Sequence, residues 1–506
     1  MQGVGRRFVL KSLAVSVSLP WAHVGLGSIS RSLPIGKSTD DFFVHNDLPW
    51  ALETKRGSFG FGPITSTSHF FVRNNLPAPP ASVLDNAEDW SVTVEGAARS
   101  GALSLRQLKT MRTRTVASVV QCSGNGRAYF PHAPSGSNWG VGAAGCALWT
   151  GVSVADIFER FGGIATGSVF LTGTGGEPLP EGIDASTVAV ERSVPIEKGL
   201  KDCLLVWEMN GAPLPLIHGG PLRLLVPGYF GVNNVKWLTR LAATTQESSA
   251  KIQQSGYRLR SVGEDGGPRH PSMWRMPIKS WLNGPGADGH PVKSGAVMLY
   301  GVAFSGERGV ESVEVSDDAG KTWVSAEWVG PDLGPNAWRT FRLGVDLRAG
   351  KHRFVSRASD STGDIQPEFA VANERGYGHN GWADHGLDIT VVERLPEYTE
   401  TQSVDASVDI ASTSVPTAKE YDLSDTARQG KSIFSGEAKP NCSVCHTLDA
   451  AGAKGLVGPN LDRLKPELPQ IRAAITQGVG AMPAYGGQLS TAEINALAAF
   501  VFEVSR

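Results

Sequence analysis

Residues 119–130 read VVQCSGNGRAYF, and the interpretation of the chain starts from this stretch. A hydrophobic run ends in a single cysteine, Cys122, and a glycine-rich turn that carries Arg127 follows at once. A nearby cation favours the thiolate form of a cysteine, and thiolates bind metals or attack electrophiles. A nucleophile also needs a neighbouring base, which the sequence alone does not reveal. From these residues alone, Cys122 is a metal ligand, a nucleophile or a buried structural thiol.

The composition is typical of a folded, multidomain protein. The chain has 506 residues, too many for one hydrophobic core, which predicts about two to four domains. The net charge of −2 argues against nucleic-acid binding, because nucleic-acid proteins usually present a basic surface. The 60 glycines, 31 prolines and 41% hydrophobic residues indicate a turn-rich fold with much strand.

The N-terminus carries an export-signal pattern. Arg6 and Arg7 precede an apolar run over residues 12–20 that is too short to span a bilayer comfortably. We therefore predict a twin-arginine signal over residues 1–30 and a periplasmic protein, with an ordinary basic N-terminus as the alternative. No other stretch of the sequence is a transmembrane candidate, so we expect no membrane span in the mature form.

Composition and periodicity divide the rest of the chain into four regions. Residues 40–250 mix strand and helix patterns and predict an α+β domain. Residues 265–395 carry short strands at regular spacing with turn signals, which predicts a β-sandwich. Residues 397–418 are rich in Ser and Thr and predict a linker. Residues 419–506 predict a small, mainly helical domain.

Local signals place individual elements and thiols. Residues 152–161, VSVADIFERF, have the apolar spacing of a helix that stops at the glycines that follow. Ser104 and Ser490 are predicted N-caps of helices. Cys146 and Cys203 lie in apolar surroundings, so we predict buried, unreactive thiols at both positions.

The C-terminal region contains a haem-attachment motif. Cys442, Cys445 and His446 form CxxCH, in which two thiols bond to the haem and the histidine binds the iron. Met482 supplies the second axial ligand that an electron-transfer haem needs. A zinc or redox CxxC site is the alternative, but zinc would need two more ligands nearby. The region resembles class I cytochrome c over its whole length, which implies one covalent haem c in an all-α domain.

The region 40–395 resembles the sulfite oxidase/sulfite dehydrogenase family of molybdenum enzymes. Four stretches carry the resemblance in the same order as in that family: residues 70–74, FFVRN; residues 121–127, QCSGNGR; residues 207–238, from WEMNG to VKWL; and residues 357–376, from RASDSTGD to NERG. The resemblance implies an α+β molybdopterin domain followed by an Ig-like β-sandwich dimerisation domain, and therefore a homodimer.

The resemblance also implies roles for single residues. Cys122 would be the thiolate ligand of molybdenum, and Trp139 would line the pocket. Arg73, Arg127 and Arg375 would surround an anionic substrate beside Tyr257. The pterin cofactor would be held by the following residues: Phe71, Asn74, Asn75, His218, Arg223, Asn234 and Lys236. General chemistry agrees, because arginine binds compact oxyanions through paired N–H donors.

These expectations lead to a functional hypothesis. Sulfite would be oxidised to sulfate at the molybdenum-pterin centre, and electrons would pass through the haem to an external c-type cytochrome. Two alternatives remain: a sulfane-sulfur dehydrogenase of the same architecture, and an electron-transfer protein whose molybdenum domain is inactive. The sequence departs from many family members at Asn75, where they carry histidine. The acidic pterin contact of the family is not placed within residues 175–184.

Overall fold

The computed structural model describes residues 33–180, 182–396, 421–479 and 482–506. The predicted export signal and the predicted linker lie outside these residues. No helix in the described ranges is long and apolar enough to cross a membrane.

A small antiparallel sheet at the start of the described chain positions the first arginine. Its strands are β1, Phe42–Asp47; β2, Trp50–Thr54; and β3, Val72–Arg73, in the order β1-β2-β3. Ala51 pairs with Arg73, and Leu52 with Val72. The buried side chains of Phe42, Leu52 and Val72 pack together beneath the sheet. Arg73 is therefore fixed at the end of a short, well-packed strand.

The α+β domain contains two five-stranded sheets that share one large hydrophobic core. Its strands are β4, Ser91–Glu95; β5, Gly101–Ser104; β6, Thr113–Gln121; β7, Ala144–Ser153; β8, Phe170–Gly175; β9, Glu191–Pro195; β10, Leu204–Met209; β11, Ala212–Pro213; β12, Arg223–Leu225; and β13, Leu238–Thr244. One sheet has the order β11-β10-β7-β6, with β12 also paired to β10, and the other has the order β5-β4-β13-β8-β9. Cys122 directly follows β6, at the end of the first of these sheets.

Short helices connect these strands. They are α1, Leu105–Leu108; α2, Val154–Arg160; α3, Ala185–Val188; and α4, Ile196–Asp202. Ser104 caps α1 and forms a capping box with Gln107, as predicted. The prediction of a helix from residue 152 was wrong by two residues, because Val152 and Ser153 still pair with β10 at the end of β7.

A β-sandwich follows, as predicted. Its strands are β14, Lys279–Gly284; β15, Val292–Lys293; β16, Gly295–Phe304; β17, Val310–Ser316; β18, Val324–Ser325; β19, Glu327–Val329; β20, Arg339–Leu347; β21, Gly350–Asp360; and β22, Leu387–Val392. The sheets have the orders β14-β16-β20-β19 and β15-β22-β21-β17-β18. Alternating apolar side chains of the two sheets, among them Leu299, Val313, Phe341 and Phe354, face each other in a separate core.

The C-terminal domain is mainly helical, as predicted. Its helices are α5, Asp425–Ser432; α6, Cys442–Cys445; α7, Leu461–Leu464; α8, Leu468–Gln477; and α9, Thr491–Val504, with a small hairpin of β23, Thr447–Leu448, and β24, Ala453–Lys454. Ser490 caps α9, as predicted. Helix α5 packs closely on α9, because a Cβ atom at Gly430 would lie 2.1 Å from the Ala496 carbonyl oxygen. This domain has its own hydrophobic core.

Candidate active site and haem site

The cysteine loop is held rigidly at the end of β6. The Asn125 side chain donates to Gln121 Oε1 over 2.9 Å and accepts from the Ala143 N–H over 3.1 Å. Gly126 has a φ of 96°, and a Cβ atom there would lie 2.7 Å from the Cβ of His379. Only glycine fits this turn without strain. The loop thereby fixes Cys122, which is buried.

Arg127 is a buried cation fixed by backbone carbonyls. Its Nε donates to the Arg375 carbonyl over 2.9 Å, and its Nη1 donates to the Ser137 carbonyl over 2.9 Å. Its guanidinium lies 5.4 Å from the ring centre of Tyr377. Burial lowers the pKa of Arg127, and the positive charge of Arg375 lowers it further. A bound anion would offset both costs.

Asn75 joins the first arginine to the predicted active-site tyrosine. Its Oδ1 accepts from Arg73 Nη2 over 3.0 Å and from the Tyr257 hydroxyl over 3.1 Å. Tyr257 stacks on Tyr377 with ring centres 5.1 Å apart. Burial raises the pKa of Tyr257, which keeps its hydroxyl protonated and able to donate.

One cavity of about 440 Å³ brings these groups together. It is lined by the following predicted residues of the catalytic region: Arg73, Asn75, Cys122, Arg127, Trp139, Tyr257 and Arg375. Trp139 Nε1 is buried and has no hydrogen-bond partner within the described ranges. The lining of the cavity is therefore rich in N–H donors, as an oxyanion site requires. Tyr377, which sequence reasoning missed, also lines it.

A second, smaller cavity of about 50 Å³ shares Cys122 with the first. Its lining includes the predicted cofactor residues Phe71, His218, Arg223 and Lys236 together with Cys122. Phe71 stacks on Phe70, whose ring meets the edge of His218.

Hydrogen bonds hold the cations of this cavity in place. Lys236 Nζ donates to Asn74 Oδ1 over 2.6 Å. Arg223 Nη1 donates to the His218 carbonyl over 2.7 Å, and its Nη2 donates to the Asn234 carbonyl over 2.9 Å. Asn74 and Asn234 therefore position the cations. The Asn234 Oδ1 accepts from the Val226 N–H, so its side chain is already engaged.

The buried basic groups of this cavity favour the binding of an anion. Burial, followed by neighbouring cations, lowers the pKa of His218 and of Lys236 well below their ordinary values. Burial lowers the pKa of Arg223 to about 9. His218 Nε2 and Arg223 Nε are buried without a hydrogen-bond partner among the residues described. A phosphate-bearing pterin would satisfy these donors and compensate the buried charge, so the residues present fit that cofactor.

Two further residues of this region were not predicted. Lys37 Nζ donates to the Thr67 and Phe70 carbonyls, both over 2.7 Å, and burial lowers its pKa to about 7. Glu177 is buried, and burial raises its pKa to about 8 while the charge of Lys236 opposes the shift. Glu177 lies in the stretch where the sequence left the acidic pterin contact unplaced. Lys37 lies in no motif that would have identified it.

The haem motif fits a covalent haem. Cys442 is buried and Cys445 half-buried. His446 Nδ1 lies 2.9 Å from the Pro459 carbonyl, which leaves Nε2 for the iron. Burial lowers the pKa of His446 and keeps it neutral, as a ligand must be. The half-buried Met482 packs against the domain core.

The haem residues and the arginines share one space. The 440 Å³ cavity is also lined by Cys442, Cys445, His446 and Met482.

The two remaining cysteines, Cys146 and Cys203, do not line this cavity and are fully buried. Burial raises the pKa of Cys146 to about 12 and strongly raises that of Cys203. Both thiols are therefore protonated and inert, in line with the prediction.

Three family models match the chain. Residues 77–252 match the oxidoreductase molybdopterin binding domain, and residues 270–390 match the Mo-co oxidoreductase dimerisation domain. Residues 425–501 match the model described as cytochrome c oxidase, cbb3-type, subunit III. These matches show a molybdopterin domain, a dimerisation domain and a cytochrome c domain in one chain, with Mo-molybdopterin and haem c as cofactors.

Individual proteins extend this finding. Mitochondrial sulfite oxidase of Rattus norvegicus is 33% identical over 350 residues, which cover 65% of this chain and 62% of the rat protein. Sulfite oxidase of Arabidopsis thaliana is 30% identical over 370 residues, which cover 67% of this chain and 92% of the plant protein. The crystal structure of sulfane dehydrogenase SoxCD from Paracoccus pantotrophus superposes with a TM-score of 0.59 at 23% identity, over 75% of this chain and 98% of that one. This last likeness concerns the fold alone. The chain belongs to the sulfite oxidase family.

Proposed function

We propose that this protein is a sulfite dehydrogenase that oxidises sulfite to sulfate and passes the electrons through its own haem c to an external c-type cytochrome. Sulfite and water give sulfate, two protons and two electrons. When bound, the molybdenum cofactor would supply oxygen-transfer and two-electron chemistry, and the haem would supply one-electron chemistry. The observation that carries the proposal is the single cavity shared by Cys122, the three arginines, Tyr257 and the CxxCH residues.

The side chains of the cavity perform the recognition. Arg73, Arg127 and Arg375 present guanidinium N–H donors to a compact dianion. The Tyr257 hydroxyl adds a neutral donor, oriented by the Asn75 amide oxygen. These groups bind and orient sulfite against the space next to Cys122.

Residues other than these three arginines would hold the cofactors. Cys122 would supply the thiolate for molybdenum, a soft ligand suited to that metal. Arg223, Lys236 and His218 would neutralise the anionic pterin. Cys442 and Cys445 would bond the haem, and His446 and Met482 would bind its iron.

The site favours a small free anion over a bulky sulfur carrier. Haem-domain residues line the same cavity as the arginines, so we expect them to restrict access to it. A substrate attached to a protein would have to displace that domain, whereas sulfite would not. We therefore place the sulfane-sulfur alternative second.

Location and assembly complete the proposal. Haem attachment to CxxCH takes place outside the cytoplasm, which agrees with the twin-arginine pattern and a periplasmic protein. The β-sandwich, which matches a dimerisation domain, would pair two copies of the chain.

Product analysis tests this function. Purified protein with both cofactors loaded, supplied with oxidised cytochrome c, should convert sulfite to an equal amount of sulfate and reduce two equivalents of the cytochrome. Cys122→Ser should abolish this turnover, because molybdenum loses its protein thiolate. Cys146→Ala, which removes a buried thiol outside the cavity, is the matched control and should retain it.

Two outcomes would overturn the proposal. One is sulfate production by Cys122→Ser at the rate of the parent protein. The other is turnover of thiosulfate or a persulfide with no turnover of sulfite.

A further inference from the structure

One segment of the cytochrome domain, beside the proposed haem ligand Met482, contacts Arg375 and its neighbours. Gly478 accepts a hydrogen bond from Arg375 Nη1 at its carbonyl oxygen, over 2.5 Å. Lys251 Nζ donates to the Met482 carbonyl, and Gln477 Nε2 donates to Glu374 Oε1. These three contacts join the cytochrome domain to both preceding domains, at Lys251 and at the adjacent Glu374 and Arg375.

Arg375 is held from two sides. Its carbonyl accepts from Nε of Arg127, which lies in the molybdopterin domain. Its guanidinium is fixed by the cytochrome domain through Gly478. The guanidinium is planar, so anchoring one Nη nitrogen sets the direction of the whole donor fork.

The rest of the Arg375 fork is left for a ligand. Arg375 is only 5% exposed, and its Nε has no hydrogen-bond partner within the described ranges. It lines the same cavity as Cys122. A buried guanidinium N–H without a partner is costly, and an anion in the cavity would satisfy it.

Lys251 connects this contact to the active-site tyrosine. It immediately precedes the π-helical turn Ile252–Gly256, and Tyr257 follows that turn. Its ammonium reaches across to the carbonyl of Met482. The same short segment therefore carries Tyr257 into the cavity and binds the cytochrome domain.

We propose that the cytochrome domain, seated by Lys251, completes the anion site because its Gly478 carbonyl orients Arg375 toward the bound anion. This inference rests on the proposed function and extends it. Lys251 is a positioning residue, since its ammonium donates to the Met482 carbonyl and does not line the cavity itself. The domain that accepts the electrons then also sets the affinity for the substrate.

Sulfate binding to the oxidised holoprotein tests this without turnover. The test protein is Lys251→Met combined with Gln477→Leu, which removes two interdomain donors and leaves Arg375 and the haem ligands in place. Calorimetric titration should show about tenfold weaker sulfate binding than in the parent protein, the effect of losing a charge-assisted hydrogen bond. Molybdenum and haem contents, measured first, should equal those of the parent.

Two controls isolate the cause. Lys251→Arg keeps a donor at the same position and should retain the sulfate affinity of the parent. Arg463→Gln removes the half-exposed ion pair between Arg463 Nη1 and Asp47, which are 3.0 Å apart, and should change the affinity little.

Unchanged sulfate affinity in the double variant would overturn the proposal, as would an equal loss in Lys251→Arg or no sulfate binding by the parent. Failure of the proposed function would look different. In that case the parent protein would not oxidise sulfite, while the order of sulfate affinities among the variants would still follow the prediction.

Discussion

Asn75 shows how one neutral side chain organises a cationic pocket. Its amide oxygen accepts from both Arg73 and Tyr257, so one atom sets the orientation of two candidate substrate donors. Because the amide is uncharged, it does this without reducing the positive charge that attracts an anion. An amide at this position also does not titrate near neutral pH, as a histidine would.

A negative charge at this position should weaken substrate binding. Asn75→Asp keeps the acceptor but pairs with Arg73 and repels sulfite, so the sulfite concentration at half-maximal rate should rise by about tenfold or more. Steady-state kinetics across sulfite concentrations measures this. Asn86→Asp makes the same change at an exposed position and should leave the constant unchanged. Equal constants for parent and Asn75→Asp would show that Asn75 does not face the anion.

Lys279 predicts a pH dependence of stability. It is fully buried with a hydrogen bond of 3.2 Å to the Asn125 carbonyl, and burial lowers its pKa to about 7 while the charge of Glu53 opposes the shift. The nearby His379 and His385 have lowered pKa values and stay neutral above pH 7. Between about pH 7 and pH 10.5 the unfolded chain holds the lysine proton and the folded chain does not. The free energy of unfolding therefore rises as the pH rises from about 7 towards 10.5, because burying Lys279 costs less.

Melting temperatures should reveal this cost. Between pH 7 and pH 9, the melting temperature of the parent should rise by several degrees relative to that of Lys279→Met, which lacks the titrating group. The melting temperature of Lys351→Met, a change at an exposed lysine, should depend on pH in the same way as that of the parent. Parallel curves for the parent and Lys279→Met would mean that Lys279 is not neutralised in the folded protein.

The sequence predicts site residues best where one motif contains them. Cys122 and Arg127 lie in one glycine-rich loop, and the CxxCH residues are adjacent, so local pattern was sufficient to single them out. Lys37, Lys251 and Glu177 escaped prediction because their partners are distant in the chain. The Lys251 contact with Met482, for example, spans 231 positions.

Local sequence pattern predicts individual strands and helices better than it predicts which strands pair. Residues 310–316 alternate apolar and polar side chains, and the structure has β17 over the same residues. By contrast, no local signal indicates that β13 runs parallel to β4, a pairing between segments about 150 positions apart. The start of α2 was misplaced for a related reason. Val152 and Ser153 pair with strand β10, which is distant in the sequence, and therefore stay in β7.

The contact between α5 and α9 yields a prediction about haem incorporation. Gly430→Ala would place a methyl group 2.1 Å from the Ala496 carbonyl oxygen and should destabilise the cytochrome domain by about 1–3 kcal/mol. Its haem content per chain and its melting temperature should both fall. Gly436→Ala, where a Cβ atom meets nothing within 4 Å, is the matched control. Normal haem content and stability in Gly430→Ala would show that the helices are not packed this closely.

The full chain brings residues of its cytochrome c domain and three arginines into the lining of one cavity. The sequence indicates both cofactor domains and a linker between them, but a linker does not determine where the attached domain docks. The docked position depends on side chains such as Lys251 and Gln477, which belong to no motif. In the structure that position makes haem-domain residues part of the lining of the arginine cavity.

The most direct test of the account is the reduction of the haem by sulfite within one molecule. Oxidised holoprotein, free of oxygen and of any external acceptor, is mixed rapidly with sulfite while the haem absorption is recorded. We predict reduction of the haem at a rate that saturates with sulfite and does not depend on protein concentration. Cys122→Ser should show no reduction, although dithionite should still reduce its haem. A haem that stays oxidised in parent protein containing both cofactors would contradict the account.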